Sequence, residues 1–186
     1  IQASLVGSEM CIRDSSYQAV YAWDGSSWDL EQNIYYGSSR FGSSVDMNAA
    51  GDRIVVGAYA SNRAFTYSWN GSSWIRDVVL YGSNNFGWDV SMSNGGDTIA
   101  ISEPGYSSYR GYVRTYAWNG SSWSQFGGTT TLGENSYDYS GRSISLNGSG
   151  NRLVVGAYEN DANGSSSGHV RVCLLYTSPS PRDLLG

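Results

Sequence analysis

Three segments of one design, AWDGSSW at Ala22–Trp28, SWNGSSW at Ser68–Trp74 and AWNGSSW at Ala117–Trp123, recur at spacings of 46 and 49 residues. Two further landmarks keep step with them. FGSSVDMN begins at Phe41, FGWDVSMS at Phe86 and a degenerate SGRSISLN at Ser140, while VVGAY begins at Val55, IAISE at Ile99 and VVGAY again at Val154. From Phe41 to Gly57, Phe86 to Ser102 and Ser140 to Gly156 the step is 16 residues each time, so insertions fall elsewhere in the unit. A period near 45 residues with a fixed inner register marks an array of like structural units.

Each unit reads as four strands. FGSSVDMN runs into a turn at Ala49-Ala50-Gly51-Asp52, and Arg53 to Tyr59 follows as an apolar run too continuous for a solvent-washed face. After a variable loop, Ala64 to Trp69 alternates Phe65, Tyr67 and Trp69 against smaller residues, as a strand does. Asn70-Gly71 then suits the positive φ of a type I′ hairpin, and a fourth strand runs from Ser73 to about Tyr81. Four antiparallel strands in about 45 residues is the pattern of a propeller blade. The expected fold class is all-β, a partial β-propeller of about three four-stranded blades forming an open arc.

Composition agrees. The 186 residues hold 24 Gly, 15 Tyr and 7 Trp, with 15% charged side chains and a formal charge of −5. All 11 basic residues are arginines scattered along the chain, so no nucleic-acid partner is expected, and no apolar stretch is long enough for a membrane helix.

The two ends differ in style from the rest. Cys173 to Asp183 reads CLLYTSPSPRD, which matches the translation of a transposon-type sequencing adapter, and the opposite strand in a shifted frame gives LVGSEMCIRD, found at Leu5–Asp14. Residues 1–15 and 173–186 are therefore expected to be adapter-derived, leaving 16–172 as the native part. Cys11 and Cys173 both lie in the ends, so the native part has no cysteine to report on redox compartment. Its charge becomes 9 Arg against 13 Asp plus Glu, or −4.

Trp23/Trp28, Trp69/Trp74 and Trp118/Trp123 each flank a four-residue connection and are expected to meet across it, stabilising each hairpin by about 0.5–1 kcal/mol. A row of aromatic platforms for sugar rings is the alternative, but recurrence in every unit fits structure better than recognition.

The order Phe-Gly, 16-residue step, Gly-Ala-Tyr resembles the FG-GAP repeat of integrin α-subunit propellers and of many bacterial and algal surface proteins. The resemblance covers 16–172. Phe41-Gly42 with Gly57-Ala58-Tyr59 is the clearest copy; Ser102-Glu103-Pro104 keeps only the Pro, and Gly141 lacks the Phe. It implies a propeller, usually seven-bladed, that binds or adheres outside the cell, with an unknown protein or carbohydrate as its ligand. The family often binds calcium in the turn between a blade's first two strands. Here the matching stretches, DMNAAGDRI, SMSNGGDTI and SLNGSGNRL, place Ile54, Ile99 and Leu153 where the closing carboxylate is needed, so no cofactor is expected.

The loops after each second strand are more individual, and variable loops on a rigid scaffold commonly carry recognition. Tyr106, Tyr109 and Arg110 in one, with Glu159, Asn160, Asp161 and Asn163 in another, are the candidate ligand-facing residues. His169, the single histidine, is expected to be structural. Asn70, Asn119, Asn147 and Asn163 each begin an Asn-Gly-Ser sequon, which the turns explain without modification.

No catalytic residue and no metal cluster is expected. Zinc spacing is absent, a Ser-His pair would rest on His169 alone, and SWNGSSW misses the sialidase Asp-box by one residue. The expected function is a non-catalytic binding or adhesion module, a piece of a larger extracellular or cell-surface protein. A carbohydrate-active propeller enzyme of the sialidase or glycosidase kind is the alternative. Such a piece begins inside a third strand and stops inside another, so apolar faces and strand edges are expected to lie bare at its ends.

Overall fold

The computed structural model describes residues 3–6, 9–14, 17–37, 40–128 and 132–176, with side chains from Ala19 onward. Within them the chain is all-β, four antiparallel meanders in sequence order. Sheet one comprises β1 (Ala3–Val6), β2 (Glu9–Asp14), β3 (Tyr17–Trp23) and β4 (Trp28–Tyr35). Sheet two comprises β5 (Val45–Met47), β6 (Arg53–Ala58), β7 (Arg63–Trp69) and β8 (Trp74–Tyr81). Sheet three is β9 (Val90–Met92), β10 (Thr98–Glu103), β11 (Tyr112–Trp118) and β12 (Trp123–Phe126). Sheet four has β13 (Ser143–Leu146), β14 (Arg152–Ala157) and β15 (His169–Leu174). Helix is confined to single turns at Tyr59–Ser61 and Tyr106–Tyr109, and none of the described residues makes a helix long and apolar enough to cross a membrane.

The repeat landmarks sit where their chemistry demands. Strand β6 is the apolar run Ile54-Val55-Val56, buried on both faces: Ile54 and Val56 pack with Val20 and Ile34 of sheet one, and Val55 packs with Phe86, Ile99 and Ile101 of sheet three. Strand β10 repeats the arrangement, Ala100 turning toward Leu153 and Val155 of sheet four. A strand sandwiched between two sheets cannot alternate apolar with polar, which is why these segments read as continuous hydrophobic runs. Sheet four has a described neighbour on one side only. There Leu153 and Val155 are buried, while the opposite face leaves Val154, Val170, Val172 and Leu174 at 38, 66, 63 and 48% exposure.

The short first strands β1, β5, β9 and β13 lie side by side, one per sheet. Among the described residues no backbone ladder joins them; from β5 to β13 side chains do, together with single backbone bonds between the turns that follow, Ala49 to Asn94 and Asn94 to Gly148. The Val90 amide donates to Ser44 Oγ at 3.1 Å, and the Met92 amide to the Asp46 carboxylate at 2.7 Å. One unit on, the Ile144 amide donates to Asp89 at 2.8 Å and the Leu146 amide to Ser91 Oγ at 3.0 Å. The third and fifth residues after each Phe-Gly phenylalanine thus receive the next unit's alternate amides. In sheet four the same positions are Ser143 and Ser145, both exposed.

The hairpin turns correct one expectation. Gly25, Gly71 and Gly120 carry φ of 103, 94 and 99°, but neither Asn70 nor Asn119 has positive φ, so the connections are not type I′. They are four-residue loops in which Asn70 Oδ1 accepts the amides of Ser72 and Ser73 at 3.0 and 2.9 Å; Asn119 and Asp24 do the same in their units. The asparagine caps the loop through its side chain rather than supplying an unusual backbone.

Strand β15 keeps the unit's register past Val172. Leu153 pairs with Cys173 as Ile54 pairs with Tyr67 and Ile99 with Tyr116. The amide of Leu175 donates to Asn151 at 2.8 Å, as Trp69 and Trp118 do to Asp52 and Asp97. The unit's Tyr and Trp positions are therefore Cys173 and Leu175 here, both buried, with burial pushing the Cys173 thiol pKa up.

Candidate functional site

One face of the sheets carries a chain of aromatic rings. It is built from loops that follow second strands and from the segments that lead into first strands. Tyr59 packs on Trp88 at 4.5 Å between centroids; the Arg142 guanidinium lies 4.0 Å over Trp88 and 5.7 Å from Tyr158. Tyr158 meets Tyr139 at 5.6 Å, Tyr139 meets Tyr109 at 5.1 Å, and Tyr109 stacks on Tyr137 at 5.9 Å and 22°. Tyr109, Tyr158 and Tyr137 are 43, 48 and 61% exposed and Tyr59, Trp88 and Tyr139 are half-buried, so the strip lies at the surface rather than in the core.

Three of these tyrosines sit in strained backbone. Tyr109, Tyr137 and Tyr139 have φ of 61, 68 and 52°, beside Ser107 and Ser108 at 49 and 58°. For bulky residues that region costs about 1–2 kcal/mol each, and it persists only where the surroundings over-determine it. Here cross-bonded loops do so. The Tyr139 amide donates to the Tyr109 carbonyl at 2.8 Å, the Tyr137 amide to Ser108 at 3.1 Å, and Arg110 Nε to the Gly133 carbonyl at 2.6 Å. Gly111 is pressed so closely on Ser140 that a Cβ there would lie 2.1 Å from its carbonyl oxygen. Asn160 Nδ2 donates to Asp138 at 3.0 Å and joins the third loop to the second.

Tyr139 holds its phenol proton harder than an isolated tyrosine, through desolvation first and then the neighbouring Tyr158, Tyr109 and Glu159. Arg142 supplies positive charge on a planar group already stacked, a pre-organised form of the side chain.

Of the seven residues expected to face a ligand, Tyr109 alone belongs to this strip. Tyr106 pairs with Tyr112 at 5.4 Å outside the strip, and Arg110 fastens a loop. Asn160 is 1% exposed, which corrects its expected placement: it is a structural bridge. Asp161 and Glu159 both bond Ser166, at 2.6 Å each, and shape their own loop; Asn163 is exposed at its tip. Sequence reading missed Tyr59, Trp88, Tyr137, Tyr139, Arg142 and Tyr158. One signal was present: Trp88 stands outside the three tryptophan pairs, two residues after the Phe-Gly phenylalanine.

The turns between first and second strands are closed by hydrogen bonds of their own. Asn48 Oδ1 accepts the amides of Asp52 and Arg53 at 3.1 and 2.9 Å while its Nδ2 donates to Asp52 at 2.7 Å; Ser93 with Asp97 and Asn147 with Asn151 repeat the arrangement. Among the described residues no three His, Cys, Asp or Glu side chains cluster as a metal would require. His169 Nδ1 lies 3.7 Å from Glu134, which also pairs with Arg171 at 2.7 Å.

The tryptophan pairs meet across their hairpins, centroids 5.4, 5.7 and 5.4 Å apart. Two of them also fasten neighbouring sheets: Trp74 Nε1 donates to Glu31 at 2.8 Å and Trp123 Nε1 to Thr66 at 3.1 Å, with Arg53 4.6 Å over Trp118.

The family model of the FG-GAP repeat matches residues 123–172. No curated protein matches the chain in sequence. Solved structures align over most of it. A protein from Lactobacillus plantarum gives a TM-score of 0.63 at 12% identity, covering 94% of this chain and 53% of that one. A protein assigned as a 6-phosphogluconolactonase from Bacteroides uniformis gives 0.61 at 8%, covering 90% and 52%. Hsv2p of Kluyveromyces lactis gives 0.58 at 12%, covering 83% and 45%. At these identities the likeness is one of fold, and the chain spans about half the length of each.

Proposed function

We propose that sheets two, three and four, with the β3–β4 hairpin of sheet one, are successive blades of a β-propeller, about three blades' worth, and that the chain is a non-catalytic binding module, a piece of a larger extracellular or cell-surface protein. The observation that carries the binding role is the strip from Tyr59 to Tyr137: surface rings, exposed or half-buried, three of them held in costly backbone by cross-bonded loops, interleaved with one stacked arginine. Strain kept at the surface, where no core packing needs it, fits pre-organisation for a ligand. Stacking rings with hydrogen-bonding serines and asparagines nearby suit a protein or carbohydrate partner. We favour binding over glycoside chemistry because the carboxylates of these loops have partners of their own, Glu159 and Asp161 on Ser166, Glu134 on Arg171 and Asp138 on Asn160, rather than being set opposite one another across a groove.

The experiment is a printed array of glycans and extracellular-matrix peptides probed with the labelled chain and with a Tyr109→Ala/Tyr158→Ala chain. Ligands retained by the first and lost by the second support the reading; no retention, or equal retention, overturns it.

We also propose that residues 1–15 and 173–186 are adapter-derived. The repeat match ends at Val172, and from Cys173 the backbone register continues with residues foreign to the unit's Tyr and Trp pattern. Sequencing the source genome across this locus tests it, and a genomic CLLYTSPSPRD at this place would refute it.

A further inference from the structure

Two sockets of the same design are filled inside the chain, and a third is not. On sheet two, Phe86-Gly87 inserts beside Gly57. Phe86 is fully buried with Ala64 and Val55, a Cβ on Gly57 would lie 2.3 Å from the Gly87 carbonyl oxygen, and a Cβ on Gly87 would lie 2.1 Å from that of Arg63. On sheet three, Gly141 inserts against Ser102 and Val113. In both cases the strand that follows is caught by its alternate amides, on Ser44 and Asp46 and then on Asp89 and Ser91.

Sheet four repeats the receiving surface. Arg142, Ser143, Gly156, Ala157, His169 and Val170 outline a hollow of about 380 Å³. Gly156 stands where Gly57 stands, yet a Cβ there would meet nothing nearer than Ser143, at 3.6 Å. Ser143 and Ser145 occupy the amide-catching positions and are exposed, and Val154, Val170 and Val172 continue the apolar wall.

We propose that this hollow binds a Phe-Gly turn and its following strand, donated by a further unit of the same repeat. This rests on reading the sheets as successive units. A second copy of the chain fits poorly as the donor, because its own Phe41 and Phe86 are already buried, at 7 and 0% exposure. The phenylalanine fills the hollow against Val170, the glycine lets backbone approach Gly156, and the amides of the fourth and sixth residues after the phenylalanine meet Ser143 and Ser145, as those of Val90 and Met92 meet Ser44 and Asp46.

The test uses a fluorescent peptide with the sequence of residues 83–93, SNNFGWDVSMS, titrated onto the 186-residue chain and followed by anisotropy. Saturable binding is expected, about tenfold or more weaker for the peptide carrying Phe86→Ala, as loss of a buried aromatic ring implies. Gly156→Val in the chain should abolish binding while leaving its circular dichroism unchanged, since the added Cβ meets nothing closer than an ordinary contact with Ser143. Should that variant fail to fold, Ser143→Ala/Ser145→Ala is expected to weaken binding severalfold. Equal binding by the parent and Phe86→Ala peptides, or by the parent and Gly156→Val chains, overturns the proposal. So does a dimer of the chain that Gly156→Val dissolves. Arg142 and Tyr158 border both the hollow and the ring strip, whereas Tyr109 belongs to the strip alone; Tyr109→Ala therefore leaves peptide binding unchanged, and a failure here is distinct from a failure of the ligand strip.

Discussion

Asp46 accepts the backbone amide of Met92 at 2.7 Å, and with the Ser44 contact to Val90 that bond does between sheets what a ladder does within one. Met92 is buried, so Asp46→Ala leaves its amide without a partner and should cost about 1–3 kcal/mol in urea unfolding. The pH dependence has a definite sign. Burial raises the Asp46 carboxyl above its ordinary 3.8, against the bonds from Met92 and Met47 that lower it. Above 3.8 and up to the folded value, the folded chain holds the proton more than the unfolded chain does, so stability falls as pH rises through that window. Relative to Asp46→Asn, which cannot ionise, the parent should lose stability on going upward from pH 3.8. A pH-independent difference between the two would contradict this.

Gly57 and Gly156 are the same position in two units, and only one is covered. Gly57→Ala drives a methyl group against the Gly87 carbonyl oxygen and should destabilise by about 2–3 kcal/mol, since two backbones must part. Gly156→Ala should fall within about 0.5 kcal/mol of the parent. Thermal melts of both variants decide the matter, and equal tolerance would mean that the sheets do not pack as described.

Glu103 is fully buried and takes bonds from the Ser83 amide and hydroxyl at 2.8 and 2.6 Å and from Arg114 at 2.8 and 3.0 Å. Arg114→Met strands that carboxylate and should cost about 3 kcal/mol, while adding Glu103→Gln should restore much of the loss. A double variant no more stable than Arg114→Met alone would show that Arg114 stabilises by packing rather than by pairing with Glu103.

Much of this was legible in the sequence, for physical reasons that also explain what was not. Ile54-Val55-Val56 announces burial on both faces because no strand with a wet side reads that way, and Trp69/Trp74 announces a hairpin because the residues between them must turn. Asn70-Gly71 announces a turn but not its geometry: the Ser72 and Ser73 amides, which cap on Asn70, decide it. The ring strip was largely illegible. Tyr59, Trp88, Tyr109, Tyr139 and Tyr158 come from five separated stretches whose meeting depends on how sheets stack, and nothing in a tyrosine codon foretells positive φ. Asn160 looked like a ligand group because polar loop residues usually are exposed; its partner Asp138 lies 22 residues away.

Tyr137 gives the sharpest test of whether the strain serves binding. Its φ of 68° costs about 1–2 kcal/mol for a side-chain-bearing residue, and its ring, 61% exposed, recovers about 0.5–1 kcal/mol by stacking on Tyr109. Tyr137→Gly removes the penalty and the stacking together, so its unfolding midpoint should match or exceed the parent's. Tyr137→Ala keeps the strained backbone without the ring and should be less stable than either. If the strip binds a ligand, both variants should weaken binding while their stabilities diverge, because the ring is missing from each. Binding that instead follows stability from variant to variant would mean that Tyr137 only holds its loop in place.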